Sequence, residues 1–167
     1  MDGRLGDEPL IILAGLSFYG DPFARSAGWT EENEIGRLWA RFMDLRHRSG
    51  EAFPEPTDPD RIYEVHLFDS ETETTGRYEV FVGYAVAEIR TLPALLVAKV
   101  LPAGRRSWFT LAGRGIVDED NYRAMDDWIE EQGLVRAGSW FANVYDRRFK
   151  GLEALEESEI DVCIPVR

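Results

Sequence analysis

Two short stretches of this 167-residue chain set polar side chains among aromatic ones at strand spacing. In Tyr63-Glu64-Val65-His66-Leu67-Phe68-Asp69 the alternate residues Glu64, His66 and Phe68 share one face. In Trp140-Phe141-Ala142-Asn143-Val144-Tyr145-Asp146 the matching positions are Phe141, Asn143 and Tyr145. A carboxylate or imidazole held among rings can meet a cation as an unsolvated counter-charge, or it can move a proton. Glu79, on a second strand, offers the same choice. Tyr84, Trp108, Phe109, Trp140, Phe141 and Tyr145 fall on strands or their edges, where rings can stack on flat apolar molecules and hold cations over their faces. The candidate ligand-binding set is therefore Glu64, His66, Glu79, Phe81, Tyr84, Trp108, Phe109, Trp140, Asn143 and Tyr145. Each has an ordinary alternative: sheet packing for the rings, and a hydrogen-bonded core pair or a solvent-facing pair for His66 and Asn143.

The usual catalytic signatures are missing. The sequence contains no G-x-S-x-G, no H-E-x-x-H and no phosphate-binding loop. Gly113-Arg114-Gly115 fits neither nucleotide spacing and reads as a strand-to-helix turn. Two histidines cannot by themselves make a typical zinc site, and His47 sits in a cationic helix end where it caps carbonyls. Asp126-Asp127 and Glu130-Glu131 read as a solvated helix face, and Trp39 and Trp128 as core. No catalytic residue, metal or cofactor is assigned, and the balance leans away from an enzyme.

The elements that must position these residues come in a repeated order. Pro9 to Leu16 returns as Pro93 to Val100, and Tyr63 to Asp69 returns as Trp140 to Asp146. Residues 1 to 8 are polar and read as loose. Leu10 to Phe18 is a short buried strand, broken at Gly20-Asp21-Pro22. Thr30 is placed to cap a helix with Ile35, Leu38, Trp39 and Phe42 on its apolar face and Gly50 at its end. Arg61 to Phe68 and Tyr78 to Ile89 form a hairpin, with Tyr78, Val80, Val82, Tyr84 and Val86 on one face. The small residues Gly83, Ala85 and Ala87 on the other leave room for a helix or a cavity floor. In the second half the strands are Ala94 to Leu101, Ser107 to Leu111, Gly138 to Tyr145 and Ile160 to Val166. A helix capped by Asp118 or Asp120 and closed by Gly133 lies between them. The expected fold class is α+β: two pseudo-symmetric β-α-β-β repeats, about 9–90 and 93–167, in one domain over 1–167. They form an antiparallel sheet with helices on one face and a ligand groove at the seam.

Composition limits the partners. With 31 acidic against 19 basic residues the net charge is −12, which repels a phosphate backbone, so direct nucleic-acid binding is not expected. Cations and basic protein surfaces are attracted. Leu10 to Phe18 is too short to span a bilayer, and the single Cys163 excludes an internal disulfide. A cytoplasmic setting is the simplest expectation, with monomer and homodimer both open.

The sequence resembles the GyrI-like small-molecule-binding family, which includes effector-binding domains of AraC-type and MerR-type drug-responsive regulators. The resemblance is carried by Trp29 with Ile35-x-x-Leu38-Trp39-x-x-Phe42, by Tyr78 to Val86 around Gly83, and by Leu101-Pro102-Ala103-Gly104 with Trp108-Phe109. It continues in Met125-x-x-Trp128-Ile129, Val144 to Phe149 and Ser158 to Val166. It implies two fused units with a groove between them for hydrophobic, often cationic aromatic compounds. It also implies a glutamate two residues before the tyrosine of the C-terminal motif, as counter-charge or as acid/base in ring-opening hydrolases. That place is Asn143, which cannot neutralise a cation and transfers protons poorly. Glu64 or Glu79 could then supply the charge from another wall, or the ligand could be neutral. The leading expectation is a stand-alone receptor for a small aromatic, neutral or cationic molecule. The alternatives are a hydrolase of reactive electrophiles using Glu64, Glu79 or His66, and a gyrase-inhibitor-like protein-interaction module. Because the effector-like unit fills the whole length, any role in transcription is expected to run through a partner protein.

Overall fold

The computed structural model describes residues 1–49, 53–89 and 92–167; Gly50, expected to end the first helix, lies outside them. Among the described residues eight strands form a single antiparallel sheet. They are β1 (Gly3–Glu8), β2 (Ile11–Gly20), β3 (Ile62–Leu67), β4 (Tyr78–Val86), β5 (Val97–Leu101), β6 (Gly104–Ala112), β7 (Trp140–Tyr145) and β8 (Glu159–Pro165). The helices are α1 (Glu34–Ser49), the single turn α2 (Thr72–Thr75) and α3 (Glu119–Glu131). Strand order is β1-β6-β8-β7-β3-β4-β2-β5. The units β2-α1-β3-β4 and β6-α3-β7-β8 therefore order their strands alike, as β3-β4-β2 and β7-β8-β6. They meet through β3 and β7, whose register is symmetric about the Val65–Ala142 pair: Glu64 faces Asn143 and His66 faces Phe141.

The counterpart of β2 is β6, not the Pro93 to Val100 stretch that resembles it in sequence. That stretch ends in β5, which pairs with β2. The β1–β6 and β2–β5 ladders share one register, Glu8 facing Gly104 and Ile11 facing Leu101, so the two halves are also joined at the sheet's far edges and the sheet curls. Buried Arg106 ties this crossing together by donating to the carbonyls of Pro9, Leu101 and Pro102. Residues 1 to 8, expected to be loose, supply the edge strand β1: Trp108 Nε1 donates to Glu8 and the Arg4 guanidinium lies over the Trp108 ring.

Both long helices lie on the same face. Leu38 and Phe42 of α1 pack on Ala14, Leu16, Val80, Val82 and Tyr84 of β2 and β4. Met125 and Ile129 of α3 pack on Phe109 and Leu111 of β6 and Ile160, Val162 and Ile164 of β8. The opposite face has its own core, including Leu13, Tyr63, Val65, Phe81, Ala142, Val144 and Cys163. At Gly83 itself the small row offers neither cavity nor helix seat, while Ala87 at its end lines a separate hollow beside Pro56 and Thr57. A Cβ at Gly83 or Gly15 would meet the Phe81 ring, which fills that space.

Helix starts are set by side-chain caps. Asn33, not Thr30, caps α1, its Oδ1 accepting from the Gly36 amide at 2.9 Å. The Thr30–Glu31 backbone crosses close over Gly36, so the chain is still turning where Thr30 sits. Asp118 caps α3 by accepting from Asp120 N. Gly133, at φ +70°, closes it, as the left-handed position after a helix favours. Among the described residues no helix is long and apolar enough to cross a membrane.

Candidate functional site

Each helix covers the outer strands of its own unit. The seam strands β3 and β7 are left bare between them, and a cavity of about 660 Å³ opens there. Its floor is the helix-side face of the seam: Glu64, His66, Phe141, Asn143 and Tyr145. One wall is α1, through Ile35, Gly36, Trp39 and Met43, preceded by the loop carrying Phe23, Trp29 and Glu31. The other is α3 with the segment after β7, through Glu119, Tyr122 and Phe149, while Phe68 and Tyr78 close one end.

Glu64 is the centre of the floor. It is 3% exposed, and among the described residues it is the only buried carboxylate. Its Oε1 accepts from His66 Nε2 at 2.8 Å and Asn143 Nδ2 at 3.1 Å. Its Oε2 accepts from Trp39 Nε1 at 2.5 Å and from the Tyr145 hydroxyl at 3.5 Å. Burial alone pushes the carboxyl pKa up, but the hydrogen bond and electrostatic attraction of His66, with the bonds donated by Trp39 and Asn143, outweigh it and hold the pKa below the ordinary glutamate value. Tyr122 donates to Asn143 Oδ1 at 3.3 Å, extending the network to α3. Burial and the Glu64 charge push the Tyr78, Tyr122 and Tyr145 phenols well up, so all three stay protonated donors.

Rings surround this carboxylate. The His66 ring stacks on Phe141 with centroids 4.5 Å apart and planes 8° apart. Trp39 meets Tyr145 edge-on at 4.8 Å, and Tyr145 meets Phe149 edge-on at 5.0 Å. At the mouth Glu31 and Glu119 are exposed acids, while Arg136 is engaged by Asp126 at 2.7 Å. The arrangement is an anionic floor in an aromatic cup, a geometry that holds cations over ring faces. Among the described residues no group of three or more His, Cys, Asp or Glu side chains is placed to hold a metal ion.

Of the ten residues singled out from the sequence, Glu64, His66, Asn143 and Tyr145 come together here. The other six lie elsewhere, for two reasons. Glu79, Phe81, Trp108 and Trp140 project to the opposite sheet face. There Glu79 pairs with Lys99 at 2.6 Å, and the other three join the second core. Tyr84 and Phe109 are on the correct face but under the helices. Tyr84 packs on Phe42 and Phe53 and donates to the Pro54 carbonyl, and Phe109 meets Trp128 edge-on. Sequence reasoning placed Trp39 in the core, counted Phe141 among the strand aromatics without carrying it into the candidate set, and passed over Tyr122 and Phe149 as site residues. The signal was there for Phe141, which alternates with Asn143 and Tyr145.

The family model of the GyrI-like small molecule binding domain matches residues 4–167. Among solved structures, SAV2435 bound to tetraphenylphosphonium is similar at a TM-score of 0.70 and 14% identity, over 100% of this chain and 94% of that one. The EcmrR–DNA complex is similar at 0.70 and 16%, over 99% of this chain and 57% of that one. A hydrolase from Listeria innocua is similar at 0.61 and 9%, over 99% and 91%. At such identities these likenesses show the shared fold. No curated protein sequence matches the chain.

Proposed function

The chain belongs to the GyrI-like small molecule binding domain family, and on that premise we propose that it is a receptor for an apolar aromatic compound carrying one positive charge. The observation that carries this reading is Glu64, a buried carboxylate at the bottom of an open aromatic cavity. A charge in such a place is costly unless paired, and four donors keep it ionised. Asn143 stands where the family resemblance implies a glutamate, and Glu64 is its direct cross-strand partner. The counter-charge is thus supplied from the neighbouring strand.

Tetraphenylphosphonium, the compound held by SAV2435, is a suitable probe. At a hundredfold excess over its Kd a ligand adds about 2.7 kcal/mol to stability, which for a chain of this size is a Tm rise of several degrees. A rise that saturates with concentration supports the receptor reading. No shift with this or any other aromatic monocation contradicts it.

The Glu64–His66 contact inside the cavity favours a second reading, hydrolysis of a reactive electrophile with Glu64 as base. Against it, both oxygens of Glu64 already accept hydrogen bonds and its pKa is lowered, so it is held as a charge rather than poised to take a proton. Product formation from a strained-ring electrophile, lost on Glu64→Gln, would support this alternative.

A further inference from the structure

We propose that His66 sets the charge class of the ligand: it is the resident counter-ion of Glu64, and a monocation entering the cavity expels one proton from its imidazole. The inference rests on the receptor reading and names the exchange that accompanies binding at that site.

Four donors reach Glu64, and His66 alone among them can carry a positive charge. Facing a carboxylate, His66 Nε2 must be a donor, so it keeps its proton in both charge states. The second proton sits on Nδ1, which has no hydrogen-bond partner among the described residues. Its loss to bulk water leaves the Nε2–H···Oε1 contact in place. The floor therefore has two states of the same geometry. With imidazolium it is neutral, and with imidazole it carries a charge of minus one.

The groups packed around the ring leave this exchange to His66. From β4, Tyr78 lies 5.7 Å from it between centroids, and from β7 come Phe141 and the neutral amide of Asn143. From α1 comes the indole of Trp39, and from α3 the phenol of Tyr122, which reaches Asn143. The phenols are held protonated, and histidine is the side chain whose charge changes near neutral pH. The remaining charges belong to the exposed mouth acids Glu31 and Glu119, the Arg136–Asp126 pair, and Asp21, which acts on Tyr78. An imidazolium stacked on Phe141 also sets a positive charge beside the place a ligand cation would take, so the two charges repel and compete for Glu64.

Cation affinity then rises with pH, because at low pH the proton must be expelled first. A dication leaves one charge unmatched, since the floor holds a single carboxylate. The test is a calorimetric titration of the full chain with tetraphenylphosphonium between pH 5.5 and 8.5. Parallel runs use buffers of different ionisation heat, and triphenylphosphine oxide serves as the neutral analogue. The expected result is a Kd that falls about tenfold per pH unit on the acid side and levels off, with up to one proton released per cation bound. The neutral analogue should show no such slope. His66→Gln, which keeps a donor for Glu64, should bind the cation with a pH-independent Kd. A circular dichroism melt checks that it is folded, with His66→Asn as the second variant. A wild-type Kd constant across this range, with no proton released, overturns the proposal while the receptor reading stands. No binding at any pH removes both.

Discussion

Replacing Glu64 by glutamine removes one charge with almost no change of shape, and the structure sets the size of the effect. At about 5 Å and an effective dielectric of about 20, a pair of unit charges is worth roughly 3 kcal/mol. Part of this is offset because the unliganded protein no longer holds a buried carboxylate. The net loss for a monocation is then about 2 kcal/mol, or roughly thirtyfold in Kd. The amide also brings donors into a ring of donors. At Oε2 its NH2 would face the Trp39 indole N–H, and at Oε1 it would face His66 and Asn143. That mismatch lowers stability by about 1–3 kcal/mol. Tetraphenylphosphonium binding can be followed by quenching of tryptophan fluorescence, since Trp39 lines the cavity. The same titration with triphenylphosphine oxide should change less than threefold. A folded Glu64→Gln protein that binds the cation within threefold of wild type would refute the assignment of Glu64 as counter-charge.

Three further outcomes are expected. Because the Glu64 carboxyl pKa is lowered in the folded state, the folded chain binds fewer protons than the unfolded one as pH falls past the ordinary glutamate value of about 4.3. Its contribution to stability is therefore present above that pH and is lost below it; urea melts should show the gap between wild type and Glu64→Gln narrowing in acid. Cys163 is 1% exposed and burial pushes its thiol up to about 12, so a thiol reagent at pH 8 should label the native protein slowly and the urea-unfolded protein at once. Gly15→Ala would place a Cβ 2.1 Å from the Val82 carbonyl oxygen and 2.6 Å from Gly83 Cα, both backbone atoms that cannot swing away. It should destabilise by about 3 kcal/mol or more, read as a fall in Tm.

The sequence was most readable where one face alternated with another. Glu64 and His66 on β3, and Asn143 and Tyr145 on β7, could be placed together because strand periodicity puts them on matched faces of two similar segments. It was least readable where both faces are apolar. In β4, Val80 and Val82 lie under α1 while Phe81 fills the opposite core, so nothing in the pattern says which face carries the helices. Glu79, Phe81 and Trp108 were grouped with the cavity residues for that reason, whereas Trp140, three residues before Asn143 on β7, falls on the opposite face by the alternation itself. Tyr84 and Phe109 were misplaced because coverage by a helix depends on which strand lies next to which, and strand order is not local information. Trp39 shares α1 with the core residues Leu38 and Phe42, and only its position toward the seam turns it to Glu64. The edge strand β1 has no apolar alternation, since its pairing with β6 rests on backbone bonds and on the Arg4 and Glu8 contacts with Trp108.

The receptor role is tested most directly by a crystal structure of the chain grown with saturating tetraphenylphosphonium. Phenyl rings should lodge between Trp39 and Phe141, with the phosphorus over the seam beside the Glu64 carboxylate. A cavity left vacant at saturating ligand, or the cation bound only elsewhere on the surface, would contradict that role.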